Sequence, residues 1–174
     1  MNKKMSRLWA PWRVGYISGL RRSSSKTTRC LFCRGRSETA DSADHLLTRG
    51  RLAFSLLNRY PYNNGHLMVA PYRHVGQLSK LTPPEWTEML ELVNDAMSRL
   101  DQVMHPKGYN LGINIGRVAG AGIPGHLHLH IVPRWSGDTN FMPAVTGAKV
   151  ISQSLEASYQ LLKGAQKNRH AKKA

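Results

Sequence analysis

The chain has 174 residues, 41% of them apolar, which is enough for one domain with its own core and short for two. Its net charge of +15 sits at the ends: residues 1–29 hold eight Lys/Arg and no acid, residues 163–174 hold five more, and residues 30–162 carry twelve basic against ten acidic residues. A nearly neutral body argues against a base-reading nucleic-acid protein, and no apolar run approaches the roughly 20 residues that cross a bilayer.

These shifts divide the chain into a basic arm (1–29), a nearly neutral domain (30–162) and a basic tail (163–174). The arm and tail read as solvated extensions, with binding to a polyanion as the alternative. The basic N-terminus leads into Leu8-Trp9-Ala10-Pro11-Trp12 instead of a long apolar stretch, so a cytoplasmic protein with no membrane partner is expected.

Residues 18–29 and 34–44 read as polar loops flanking Cys30-Leu31-Phe32-Cys33. That CxxC spacing leaves a redox pair, half of a metal site and two reduced thiols all open. Next, Arg51–Leu57 reads as a strand, Pro61–Gly65 as a turn and His66–Ala70 as a second strand ended by Pro71. Thr82-Pro83-Pro84-Glu85 starts a long helix, because Trp86, Met89, Leu90, Val93, Met97 and Leu100 follow at helical spacing up to about Val103. Tyr109–Gly116 alternates as a strand, Arg117–Gly125 is a glycine-rich loop, Leu127–Val132 resumes the alternation, and a shorter helix is expected over Ile151–Leu162. The order strand, strand, helix, strand, strand, helix predicts an α+β fold, an antiparallel sheet with its helices on one side.

Alternate residues of a strand share a face, so His126, His128 and His130 project together while Leu127, Leu129 and Ile131 point into the core. Three imidazoles in a row bind a metal, bind an anion or present a nucleophilic nitrogen. The approach from Asn114 to Gly125 contains four glycines and one proline, and small residues let backbone amides come close to phosphate oxygens. It matches neither nucleotide-binding glycine fingerprint of the common α/β folds. Cys30 and Cys33, with His74 and one of the three histidines, also compose a zinc reading, against an unligated CxxC.

Taken together, His126-Leu127-His128-Leu129-His130-Ile131-Val132 resembles the signature of the histidine-triad family. The likeness runs over residues 30–134, through Cys30-Leu31-Phe32-Cys33, Asn58 to Gly65-His66, Pro71-Tyr72-Arg73-His74 and Asn114-Ile115-Gly116. Within the family the chain looks like bacterial diadenosine tetraphosphate phosphorylase-like hydrolases. Those marks are Leu8-Trp9-Ala10-Pro11-Trp12-Arg13, Asn58-Arg59-Tyr60-Pro61-Tyr62-Asn63-Asn64-Gly65-His66, Ala119-Gly120-Ala121-Gly122-Ile123 and Pro133-Arg134-Trp135-Ser136-Gly137-Asp138-Thr139-Asn140-Phe141-Met142-Pro143.

The resemblance implies cleavage of a dinucleoside polyphosphate through a nucleotidyl-histidine, with inorganic phosphate or water as the acceptor. It makes His128 the nucleophile and His130 its partner at the phosphate. Asn58 is implied at the ribose and Asn114 near phosphates or ribose, with Gly122 and Ile123 as amide donors. Cys30, Cys33, His74 and His126 match the family's zinc quartet, a structural metal in a site that uses no catalytic cofactor. The family likeness also implies a homodimer with joined sheets. The alternatives are a hydrolase of nucleoside phosphoramidates or adenylyl compounds, and a nucleotide-binding interaction protein.

Overall fold

The computed structural model describes residues 30–34, 44–139 and 151–171. The basic arm, most of the polar loop after the cysteines and the Asn140–Pro143 stretch lie outside the described residues. Two central strands organise the rest: β2 (Ala53–Leu57) and β3 (Leu67–Pro71) are buried along their whole length. They are buried on both faces because both faces are covered. Ala53, Leu57, Leu67 and Val69 join the larger apolar cluster, whereas Phe54, Leu56, Met68 and Ala70 form a second cluster on the other side.

Around this pair the sheet runs β1-β2-β3-β5-β4, every neighbour antiparallel, with β1 at Leu46–Arg49, β4 at Gly108–Ile113 and β5 at Leu129–Arg134. Strand β1 is an addition to the sequence-based expectation. Its four residues do not alternate, and its register on β2 slips between Leu46 and Thr48, so period-2 patterning carries no signal there. Strand β5 starts two residues later than expected and runs through Pro133. The β3 ladder ends at Leu67–Ile131, and the Arg134 carbonyl faces β4 by accepting from Lys107 N–H, so the nitrogen of Pro133 points to the side where no ladder remains.

The long helix α2 (Pro83–Met104) has the expected start. Thr82 accepts from the Glu85 amide while the Glu85 carboxylate accepts from the Thr82 amide at 2.8 Å, with prolines in the first turn. It ends where His105 takes a left-handed conformation, φ 48°, and its amide donates to the Leu100 carbonyl. Met89, Leu92, Val93, Ala96 and Leu100 form its buried face against the sheet. Met89, Leu92, Val93 and Leu100 each contribute roughly 1.5–3 kcal/mol when fully buried, and the single methyl of Ala96 less.

Helix α3 spans Leu155–Ala171, beginning and ending later than the expected 151–162. Ser154 sets its start by accepting from the Ala157 amide at 3.1 Å, and Tyr159 and Leu162 anchor it in the main core. Both long helices therefore lie on one face of the sheet. The opposite face is covered by a single helical turn, α1 (Leu31–Arg34), whose Phe32 joins the second cluster. That face, and the segment leading into β5, carry the histidines.

Candidate active site and metal centre

The alternation expected for residues 126–131 is preserved although only its second half is ladder-paired. Leu129 and Ile131 enter the helix-side core, His130 lies opposite Met68 on the other face, and Leu127 N–H donates to the Val75 carbonyl at 2.7 Å. His126, His128 and His130 are all buried, at 1%, 5% and 8% exposure, so they form a covered site and not a surface row.

Four donor atoms converge at one end. The ligand atoms of Cys30, Cys33, His74 and His126 lie within 4.8 Å of one another. Cys30 Sγ is 3.4 Å, and Cys33 Sγ 3.7 Å, from His126 Nδ1, while Cys33 Sγ is 3.2 Å from His74 Nδ1. A tetrahedral zinc with Zn–S about 2.3 Å and Zn–N about 2.0 Å has S···N edges of roughly 3.5 Å, so the donor set fits that ion in type and spacing. The other nitrogen of His126 faces the Pro71 carbonyl at 2.8 Å, which leaves Nδ1 as the lone-pair atom turned to the thiols. Burial lowers the His126 pKa to about 4, opposed by the Pro71 hydrogen bond and reinforced by His74 and His128, so the ring is neutral near pH 7. Gly125 makes room for this arrangement: a Cβ there would lie 3.1 Å from His74 Nε2.

His128 comes next. Its Nδ1 lies 2.9 Å from the His126 carbonyl oxygen and must donate to it, so the neutral ring carries its lone pair on Nε2. Burial holds its pKa below the ordinary imidazole value, against the same hydrogen bond, and favours that neutral form.

His130 is oriented through a residue that the sequence reading placed in a motif but gave no task. The Tyr62 amide donates to His66 Nδ1 at 3.0 Å, so His66 carries its hydrogen on Nε2. That nitrogen is 3.0 Å from His130 Nδ1, which accepts, and the hydrogen of His130 is thereby on Nε2. One backbone amide thus sets two tautomers in series. His66 is completely buried, and the turn before it needs Gly65: at φ 66° a Cβ would sit 2.7 Å from Met104 Sδ and 2.8 Å from a Leu100 methyl. Asn63 ties the same turn to the end of β5, donating to Pro133 O and to Asp138 Oδ2. Asp138 also receives Arg134 in a two-point ion pair, which keeps its carboxyl well below the usual range, against the opposing effect of desolvation. The advance signals for His66 were its place in the Asn58–His66 stretch and at the start of an expected strand; its pairing with a histidine 64 residues away was not legible.

The remaining expected residues fall around this core. Asn58 follows β2, its side-chain oxygen accepts from the Tyr60 amide at 2.9 Å, and its Nδ2 lies 3.4 Å from His66 Nδ1. Asn114 is half-buried and stands one residue beyond the Ile113–Leu129 pair, at the register position of His128. Gly122 and Ile123 are half-buried in the loop; Ile123 packs on the Phe32 cluster, and its carbonyl accepts from the His126 amide. Chemically, the site pairs a nitrogen lone pair on His128 with an N–H donor on His130, their ring centroids 4.8 Å apart.

Comparison with known proteins gives a consistent assignment. The model of the HIT domain matches residues 39–137. An AP-4-A phosphorylase of Mycobacterium tuberculosis is 38% identical over 162 residues, covering 91% of this chain and 83% of that protein. An asymmetrical bis(5'-nucleosyl)-tetraphosphatase of Schizosaccharomyces pombe is 36% identical over 90 residues, 52% of this chain and 49% of that one. Among solved structures, a zinc-bound histidine triad family protein from Mycobacterium smegmatis superposes with a TM-score of 0.66 at 24% identity, covering 84% of this chain and 99% of that chain.

Proposed function

The chain belongs to the histidine-triad (HIT) family, and on that premise we propose that it cleaves dinucleoside polyphosphates, of the diadenosine tetraphosphate type, by nucleotidyl transfer through His128. The observation that carries the reading is the His128 Nδ1 hydrogen bond to the His126 carbonyl, because it fixes the lone pair on Nε2 of a neutral ring.

In the first step Nε2 of His128 forms a bond to the α-phosphorus, and the P–O bond to the remaining nucleoside polyphosphate breaks. His130, with its hydrogen on Nε2, meets the charge that develops on phosphate oxygens, together with amides of the Gly116–Gly125 loop. In the second step an oxygen of inorganic phosphate attacks the same phosphorus and the P–N bond breaks, giving a nucleoside diphosphate; water in its place gives the monophosphate. Asn58 and Asn114 serve the sugar and phosphates. The 38% identity to an AP-4-A phosphorylase over most of the chain supports this substrate class.

Cys30, Cys33, His74 and His126 would hold a structural zinc, which ties the helical turn α1 to the sheet and takes no part in the displacement. We also propose a homodimer joined through β4. That strand lies at the sheet's edge, with Leu111 half-exposed on it and Ile115 and Val118 exposed just beyond, an arrangement that calls for a cover. Residues 30–162 are proposed as the catalytic unit, with 1–29 and 163–174 as its basic extensions. Incubation with diadenosine tetraphosphate, with and without inorganic phosphate, tests the function: ATP plus ADP identifies phosphorolysis, ATP plus AMP identifies hydrolysis, and unchanged substrate in both arms refutes the proposal.

A further inference from the structure

A hydrogen bond at one edge of a histidine does not fix the ring. Its terminal torsion is broad, and rotation about the Nδ1···O line moves Nε2 sideways while the bond survives. In this protein the His128 imidazole has a second constraint on its face. The Phe32 ring is stacked on it with centroids 4.6 Å apart and 29° between planes, and the same ring meets His126 at 5.2 Å and 47°. With the edge of His130 at 4.8 Å and 72°, His128 is held on a face and an edge as well as at Nδ1.

Phe32 is 2% exposed and sits between the two cysteines, in a helix of only four residues. A single turn has no stability of its own, because nucleation fixes several residues for one hydrogen bond. What holds this one is its contacts: the buried Phe32 ring, and the two thiols beside His74 and His126. We propose that Phe32 is a positioning residue for His128, and that the Cys30–Cys33 knuckle, closed by its metal, keeps the phenyl ring against the imidazole. The knuckle thereby acts on turnover as well as on stability. The inference rests on reading His128 as the nucleophile.

The test uses full-length, metal-loaded protein carrying Phe32→Leu, which keeps an apolar side chain and removes the flat face. A ring freed to swing spends less time in line with the phosphorus, so kcat falls about tenfold while KM stays within about twofold. The readout specific to stacking is the NMR shift of the His128 ring protons, assigned by their loss in His128→Asn. In the wild type they carry the ring-current displacement of Phe32, and in Phe32→Leu they lose it. Stripping the metal from wild-type protein moves the same signals the same way, and zinc restores them. If Phe32→Leu does not fold, Phe32→Met carries the same comparison. Wild-type kcat in the folded variant, or His128 signals indifferent to Phe32 or to the metal, overturns the inference. Mapping the covalent nucleotidyl adduct separates the two readings: an adduct on another residue removes the nucleophile and this inference with it, whereas an adduct on His128 with unchanged kcat removes this inference alone.

Discussion

Nδ1 of His128 lies 2.9 Å from the carbonyl oxygen of His126, whose own Nδ1 is 3.4 Å from the Cys30 thiol. One residue therefore serves two arrangements: its side chain belongs to the four-donor cluster, and its backbone sets the tautomer of His128, the proposed nucleophile. The two-residue spacing of the motif is what permits this, since it puts both imidazoles on the same face of the chain.

Replacing His128 by Asn keeps a small polar side chain but leaves no nitrogen of comparable nucleophilicity. Turnover is expected to fall on the order of 10⁴-fold or more, while affinity, which the proposal assigns to Asn58, Asn114 and loop amides, falls far less. Single-turnover labelling with substrate radioactive at the α-phosphate should place an acid-labile adduct on the His128 peptide. Near-normal turnover in the variant, or label on another peptide, would show that the assignment is wrong.

His66 gives a prediction of a different kind, because its effect passes through His130. Removing it in His66→Ala takes away the donor to His130 Nδ1, and the hydrogen on His130 is free to change nitrogens. We expect kcat to drop by about 10²-fold, the cost of losing one transition-state hydrogen bond. Since both changes act on one donor, the His66→Ala/His130→Ala double variant should be little worse than His130→Ala alone. Fully additive losses would mean that the two histidines act independently.

Much of this was visible beforehand, and the residues show why. The capping box at Thr82 and Glu85 and the apolar period from Trp86 to Leu100 are local signals, and α2 follows them within a residue or so. The three histidines alternate with leucines, so their common face needed no tertiary information. Cys30, Cys33 and His74 already composed a zinc reading with one of the three histidines, and family likeness alone singled out His126, for nothing local joins Cys30 to His126 across 96 positions. Strand β1 was missed because a bulged four-residue strand has no period to read. The stacking of Phe32 on His128 and the His66–His130 bond were not legible at all, as both depend on which surfaces the sheet brings together.

For the metal centre we expect close to one zinc per chain in protein purified without chelator. Cys33→Ser should lose most of it and lower the midpoint of thermal unfolding by roughly 5 °C or more, because binding energy at such a site is folding energy. Elemental analysis with a melting curve of each protein checks this. A metal-free wild type whose stability matches the variant would show that the four donors close without an ion.

The start of α2 gives a pH-dependent prediction that involves neither the histidines nor the metal. Arg73 donates to both oxygens of Glu85, at 2.9 and 2.7 Å, and the Thr82 amide and hydroxyl donate to one of them. Arg73 is the largest influence and, with Thr82 and against desolvation, holds the Glu85 pKa down to about 2 from its ordinary 4.5. A carboxyl whose pKa is lower in the folded state binds protons more readily when unfolded, so stability rises with pH across the interval between the two values. The contribution is therefore complete above about 4.5 and is lost as pH falls toward about 2. Glu85→Gln has no charge to lose. Urea unfolding of both proteins at a series of pH values should show the wild type ahead by a constant margin near neutrality, the margin narrowing below pH about 4.5 and nearly closed at about 2. A gap that keeps the same width down to the lowest pH would mean that the capping geometry stabilises the helix, while the ionised pair with Arg73 contributes nothing.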